Sequence, residues 1–97
     1  MKSVFIAYSK ALTEPMMQII DKQGIRGFTQ WEDIKGRGSF RGEPHYGTHT
    51  WPSTNSAIIA IVADDKVEPL FKALRELDDR TEQQGLRAFV WSVEGSL

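Results

Sequence analysis

Cysteine is absent from the sequence, which excludes disulfide bonds, cysteine-ligated zinc and thiol catalysis. Positive and negative residues nearly balance, and the formal net charge is −1. The sequence therefore has no basic surplus that would indicate a nucleic acid or an anionic membrane as a partner. The longest apolar run, residues 57–63, is far shorter than the ~20 residues that cross a bilayer. We therefore expect a cytoplasmic protein that neither binds nucleic acid nor inserts into a membrane.

Catalytic motifs are also missing. The chain has no G-x-S-x-G nucleophile motif and no Walker loop. The paired aspartates at 64–65 and 78–79 are better explained as a helix start and a solvated helix face. His45 would need a nucleophile beside it to act as a general base in covalent catalysis, and the sequence offers no obvious one. We therefore expect a regulatory or binding protein and not an enzyme.

The sequence does contain an apolar pattern that alternates between strand and helix periods. Residues 4–8 and 55–63 are apolar runs of strand length, and residues 86–93 form a last strand. Residues 27–35 are more polar and roughly alternating, which is typical of an edge strand. Two stripes between these strands have helical spacing. Their predicted ends are a cap at Thr13 and a stop at Gly24 for the first helix, and a capping box of Asp65 and Glu68 and a stop near Gly85 for the second.

These elements predict one α+β domain over residues 1–97, with the βαββαβ order of a ferredoxin-like sandwich. The first and third strands are the most apolar, and these two form the central pair of a ferredoxin-like sheet. Large aromatics on the edge strands favour pairing with another subunit: Phe28 and Trp31 on one edge, and Phe89 or Trp91 on the other. A domain of this size also buries little surface alone, so we expect it to associate with copies of itself.

The segment between the second and third strands, residues 36–54, is far longer than the ~2–5 residues of an ordinary hairpin connection. It contains four of the eight glycines, both histidines and three aromatic residues. We interpret it as the functional loop; the alternative is a connection with no function of its own. Its glycine- and arginine-rich start would direct N–H groups and guanidinium groups at a phosphate or a carboxylate. The candidate anion ligands in it are Arg37, Gly38, Ser39 and Arg41.

The same loop offers a second kind of site. His45 and His49 lie four residues apart with Glu43 close by, and imidazoles at this spacing share a metal ion such as Cu²⁺ or Zn²⁺ when the segment is helical. Pro44 and Gly47 disfavour a helix here. The alternative is a pair of histidines that hydrogen-bond to their neighbours or to water.

Three stretches together resemble the nitrogen-regulatory P-II signalling superfamily: IKGRGSFRGEPHYGTH (residues 34–49), NSAIIAIV (55–62) and GLRAFV (85–90). The resemblance implies a ferredoxin-like homotrimer with an adenine nucleotide, ATP or ADP, in the cleft between subunits. It also implies that the long loop is a T-loop that contacts a target protein. The loop residues that would contact this partner are Phe40, Glu43, Tyr46 and Trp51.

By the same resemblance, the nucleotide phosphates would lie beside the loop base and beside the turn before the last strand. Arg37 and Gly38 match the loop base, whereas Gly85 and Arg87 match the turn, and Arg80 is a further candidate. The family's glycine-rich phosphate loop is reduced here to one glycine in RTEQQGLR. The ligand could therefore be a different small anion.

A second resemblance, mainly of topology, is to the CutA cation-tolerance proteins, with Trp31 and Glu32 as the local match. These proteins share the fold, the trimer and the short length, and the resemblance implies divalent-metal binding by the loop histidines. A further hypothesis, from another class, is an interaction module whose loop contacts a protein partner and binds no small molecule.

Overall fold

The computed structural model describes residues 1–37, 46–47, 54–81 and 85–97 of the chain. The strands in these ranges form one antiparallel sheet in the order β2-β3-β1-β4. Along the chain the elements are β1 (Lys2–Ser9), α1 (Thr13–Lys22), β2 (Thr29–Ile34), β3 (Asn55–Val62), α2 (Val67–Arg80) and β4 (Arg87–Ser92). This order confirms the predicted βαββαβ fold and the predicted central pair of strands.

The core lies between one face of the sheet and the two helices. Apolar residues of α1 and α2 fill this layer because their helical spacing puts them on one side of each helix. Tyr8 of β1 is fully buried here, and its hydroxyl accepts a hydrogen bond from Gln30 Nε2 at 2.7 Å. That bond ties the edge strand β2 to the core. The other fully buried side chains include Val4, Ile6, Met16, Ile20, Ile58 and Leu70.

The opposite face of the sheet carries no helix among the described residues. The strand register aligns Ile59, Phe5 and Phe89 in one row across β3, β1 and β4. Three of the predicted aromatics remain exposed on this face, Trp31 (47%), Phe89 (58%) and Trp91 (48%), and Ile61 (47%) is exposed beside them. We call the surface formed by these six residues the open face.

Gly24 stops helix α1 as predicted, from the position just after the C-cap residue Gln23. Gly24 has a φ of +71°, and the N–H of Ile25 donates to the carbonyl of Ile20 at 3.1 Å, which completes a Schellman motif. Lys66 Nζ donates to the carbonyl of Gln23 at 2.9 Å. A cation at this position complements the helix dipole and links the end of α1 to the chain before α2.

The predicted helix starts are wrong. Thr13 is the first residue of α1 rather than its cap, because the chain already coils into a 3₁₀ turn before it, and the Thr13 hydroxyl donates to the carbonyl of Lys10 at 2.7 Å. The capping box of Asp65 and Glu68 does not form. A 3₁₀ turn covers Asp64–Lys66, so the residue before α2 has helical backbone angles and no side chain caps it.

The end of α2 also differs from the prediction. The helix stops at Arg80 rather than near Gly85, because Thr81 leaves the helical region with a φ of −130°. The Thr81 hydroxyl donates to the carbonyl of Leu77 at 2.7 Å and so satisfies one of the last helical carbonyls. No helix in the described part of the chain has the length and apolar character that a membrane crossing requires.

Candidate functional site

An open cavity of about 620 Å³ lies at the base of the predicted functional loop. Three parts of the chain meet there: the turn after β1, the end of β2 and the residue before β3. Its lining includes two cations, Lys10 and Lys35, one carboxylate, Asp33, and the half-buried ring of Tyr46. We call it the loop-base cavity. The excess of cations among these charged groups favours an anionic ligand.

Asp33 connects the three parts of the chain that meet at the cavity. Its Oδ1 accepts hydrogen bonds from Lys10 Nζ at 2.7 Å and from Thr54 Oγ1 at 3.1 Å. The backbone N–H of Lys10 also donates to the carbonyl of Thr54 at 3.0 Å. The hydrogen bond from Lys10, and then that from Thr54, lowers the pKa of Asp33, and the same contact raises the pKa of Lys10. We call these three residues the clasp.

The backbone of Asp33 lies in the left-handed region. Its φ of 56° is the one positive value for a non-glycine residue within the described ranges. The pairing of β2 with β3 shifts register between Trp31 and Ile34, so Asp33 lies in a β-bulge. Aspartate tolerates this region better than most residues do. The bulge bends β2 at the point where the chain leaves the sheet.

Gly36 allows the chain to pass close to β3 just beyond the clasp. A Cβ at this position would overlap the side-chain amide of Asn55, which is buried at the start of β3. A larger residue would therefore require either the Asn55 amide or the outgoing stem of the loop to shift. This is a steric reason for the Lys-Gly sequence that begins the loop.

Of the loop residues predicted to bind a ligand or a partner, only two lie among those described. Arg37 is exposed just after β2, and Tyr46 lines the loop-base cavity. Outside the described residues lie Gly38, Ser39, Phe40, Arg41, Glu43, His45, His49 and Trp51. The anion, partner and metal hypotheses that depend on them stay predictions. In the described ranges, no group of three or more histidines, aspartates or glutamates is placed to hold a metal ion.

The remaining predicted anion ligands lie at separate places in one chain. Arg87 begins β4, directly after the half-buried Gly85 and the buried Leu86, and its Nη1 donates to the Leu86 carbonyl at 2.8 Å. The β2 edge that leads to Arg37 is on the other side of the sheet, three strand spacings or roughly 14 Å away. Arg80 lines a groove between the helices. A single chain therefore does not bring Arg37, Arg80 and Arg87 together.

Sequence reasoning missed the clasp. Lys10 follows an apolar strand and Asp33 lies in a polar one, so each has the pattern of an ordinary surface charge. The contact between them joins positions 23 residues apart, and no local pattern predicts it. The one sequence feature at this place is that three of the four residues at 32–35 are charged, which is unusual at the end of a strand.

The fold and the cavity describe a ferredoxin-like domain with a cation-rich pocket at the base of a long loop. The family model for nitrogen regulatory protein P-II matches residues 1–96 of this sequence. The chain therefore belongs to the P-II family, which confirms the resemblance found in the sequence. The sequence matches no curated protein.

Solved structures with this fold include CPII, a nitrogen regulatory PII-like protein from Thiomonas intermedia K12. CPII bound to ADP, AMP and bicarbonate has a TM-score of 0.74 and 22% identity, over 93% of this chain and 82% of CPII. CPII bound to ADP and bicarbonate has a TM-score of 0.74 and 23% identity, over the same shares of the two chains. A PII-like signalling protein from Thermus thermophilus has a TM-score of 0.67 and 20% identity, over 93% and 83%. At these identities the likeness shows the fold.

Proposed function

We propose that this protein is a homotrimeric regulator that binds a small anionic ligand, an adenine nucleotide such as ADP or ATP, in the clefts between its subunits. The loop of residues 36–54 then contacts a protein target, and it does so differently when the ligand is bound. The observation that carries this proposal is the P-II family match over residues 1–96, together with the shared fold of CPII bound to ADP and AMP. The family is regulatory, which agrees with the missing catalytic motifs.

The positions of two arginines support a site between subunits. Arg37 and Arg87 belong to opposite edges of the sheet, so one chain cannot direct both at one phosphate group. Two copies can, if the β2 edge of one chain lies beside the β4 edge of the next. Arginine is suited to this role because its guanidinium forms paired hydrogen bonds to phosphate oxygens.

The open face supports association. Four of its side chains, including two tryptophans, remain about half exposed in the single chain. Exposed apolar patches on small proteins mark interaction surfaces, and a second copy would remove this one from water. Among the described strands, β2 and β4 have a neighbour on one side only, and such edge strands also favour contact with another chain.

Titration calorimetry with ADP, ATP and AMP, together with light scattering for the mass, tests the proposal. We expect a trimer that binds nucleotide, and at least a tenfold weaker affinity in Arg37→Ala and in Arg87→Ala, because each loses a charge-assisted hydrogen bond. Lys72→Ala removes an exposed cation of α2 and is the matched control. Absence of nucleotide binding, or an equal loss in the control, would contradict the assignment.

Mixing the two arginine variants tests whether each site uses two chains. An Arg37→Ala chain still supplies Arg87, and an Arg87→Ala chain still supplies Arg37. In a random equal mixture, about three-quarters of the trimers contain both kinds of chain. Each of these mixed trimers has one complete site among its three, so about a quarter of all sites recover. If both arginines served a site within one chain, mixing would recover none.

The same screen includes Cu²⁺ and Zn²⁺ for the CutA-like alternative. Stabilisation by a metal that is lost in His49→Ala, and lost below pH ~6 as imidazoles protonate, would move the site to His45, His49 and Glu43. No response to any nucleotide or metal would leave the interaction module as the remaining hypothesis.

A further inference from the structure

The clasp fixes both stems of the loop to the sheet. Lys10 follows β1, Asp33 lies near the end of β2, and Thr54 directly precedes β3. Both side-chain hydrogen bonds end on one oxygen, Oδ1 of Asp33. This single atom therefore holds the outgoing stem, residues 34–37, next to the incoming stem at Thr54.

The backbone at Asp33 depends on these bonds. A φ of 56° is unfavourable for any residue that has a Cβ, and the bulge interrupts the ladder between β2 and β3. The hydrogen bonds from Lys10 and Thr54 offset this cost. Without them an extended backbone would be preferred at this position, and the side chains that follow would turn to the other face of the sheet.

The clasp is also part of the wall of the loop-base cavity. The side chains of Lys10 and Asp33 are both more than half exposed, so their ion pair is solvated and easily exchanged. Lys35 lines the same cavity and adds a second cation. A small oxyanion in the cavity would therefore compete with the Asp33 carboxylate for the ammonium group of Lys10.

We propose that Asp33 is a positioning residue that couples anion binding to the loop: an oxyanion that binds Lys10 displaces the Asp33 carboxylate, and the loop stems lose the contact that holds them. This inference rests on the proposed function, since it requires an anionic ligand at the loop base. It makes Asp33 an internal competitor of the ligand. Removal of its charge should then strengthen anion binding while it loosens the stems. Loss of a merely structural residue would loosen the stems and also weaken anion binding.

Three variants test the competition in the full-length protein, with sodium bicarbonate as the probe at fixed ionic strength. Asp33→Asn removes the charge and keeps a residue that tolerates positive φ. Glu32→Gln removes the same charge one residue earlier, where its effect on Lys10 is only a weak Coulombic one. We expect bicarbonate affinity to rise about fivefold in Asp33→Asn, to change little in Glu32→Gln, and to fall more than tenfold in Lys10→Met.

Limited trypsin cleavage after Lys35 and Arg37 reports on the stem. We expect faster cleavage in Asp33→Asn and in Thr54→Val than in wild type without ligand. Bicarbonate should speed cleavage of wild type but not of Asp33→Asn. Thr54→Val should loosen the stem without raising the affinity for bicarbonate, since the cation is still held by Asp33.

Equal bicarbonate affinity in Asp33→Asn and Glu32→Gln would overturn the proposal, and so would slower cleavage of wild type in bicarbonate. A protein that binds bicarbonate as expected but no nucleotide would overturn the nucleotide part of the proposed function and leave this inference supported. Absence of binding of either probe by wild type and by Asp33→Asn would overturn both.

Discussion

Replacement of Phe89 by serine should dissociate the proposed trimer while each chain keeps its fold. Phe89 lies on the edge strand β4, at one end of the open-face row that it forms with Phe5 and Ile59. Its side chain is 58% exposed in the single chain and is not part of the buried core. The fold therefore depends little on this ring, whereas association would cover it.

The magnitude follows from the area that association would cover. A phenylalanine buries about 200 Å² when it is fully removed from water, so the exposed part of Phe89 amounts to about 115 Å². At about 25 cal/mol per Å², this area contributes about 3 kcal/mol for each chain and about 9 kcal/mol for a trimer. Loss of that contribution lowers the trimer association constant by about six orders of magnitude. A ring that is only half covered still lowers it by about three.

Sedimentation equilibrium across the micromolar range measures this change, and far-ultraviolet circular dichroism checks the fold. Val90→Ser is the matched control, because Val90 is also exposed, at 41%, but lies on the other face of the same strand. We expect the control to keep the wild-type mass. A Phe89→Ser protein that stays fully associated, or a Val90→Ser protein that dissociates equally, would refute the assignment of the open face as the interface.

Gly24→Ala should lower the free energy of unfolding by about 1–2 kcal/mol and Tm by about 10 °C, because alanine is disfavoured at a φ of +71°. Gly27→Ala is the control, because a Cβ at Gly27 would meet only open space. Equal melting temperatures of the two variants would contradict the reasoning. Thermal stability should also fall as the pH drops below ~4, because the pKa of Asp33 is lowered in the folded chain and its contribution disappears as the carboxylate protonates. Lys10 contributes to the stability of the fold through the same ion pair. Because its pKa is raised in the folded chain, this contribution is present below pH ~10.5 and is lost above it. Asp33→Asn should flatten the acid slope, and an unchanged slope would count against the clasp.

The topology was predictable because burial differs between the strands. In a four-stranded sheet the central strands have neighbours on both sides, so β1 and β3 are mostly buried and contain the apolar runs 4–8 and 57–62, whereas β2 and β4 are mostly exposed. The Gly24 stop was predictable for a local reason, since few other residues accept positive φ after a helix. The helix starts were not, because the 3₁₀ turns that precede both helices leave no pattern in the sequence.

The candidate site was predictable only where it follows from loop composition. Arg37 and Tyr46 stand out because they occur in a long segment rich in glycine and aromatic residues. The clasp has no such signal in the sequence, because strand order and a bulge bring together Lys10, Asp33 and Thr54. Register irregularities of this kind depend on the whole sheet, and a single strand read alone gives no indication of them.

Association in a closed ring accounts for three features that a single chain leaves unrelated. It would cover the open face, and it would bring Arg37 of one chain near Arg87 of the next, because a heterologous contact repeats the same pair of edges around the ring. The clasp lies at the end of β2, the strand that leads to Arg37, so each cleft would have an Asp33 at its border. An anion in the cleft would then make two interactions. The arginines would bind it, and it would displace the Asp33 carboxylate from Lys10. The first interaction would hold the ligand, and the second would add to its affinity and transmit the bound state to the stems of the loop.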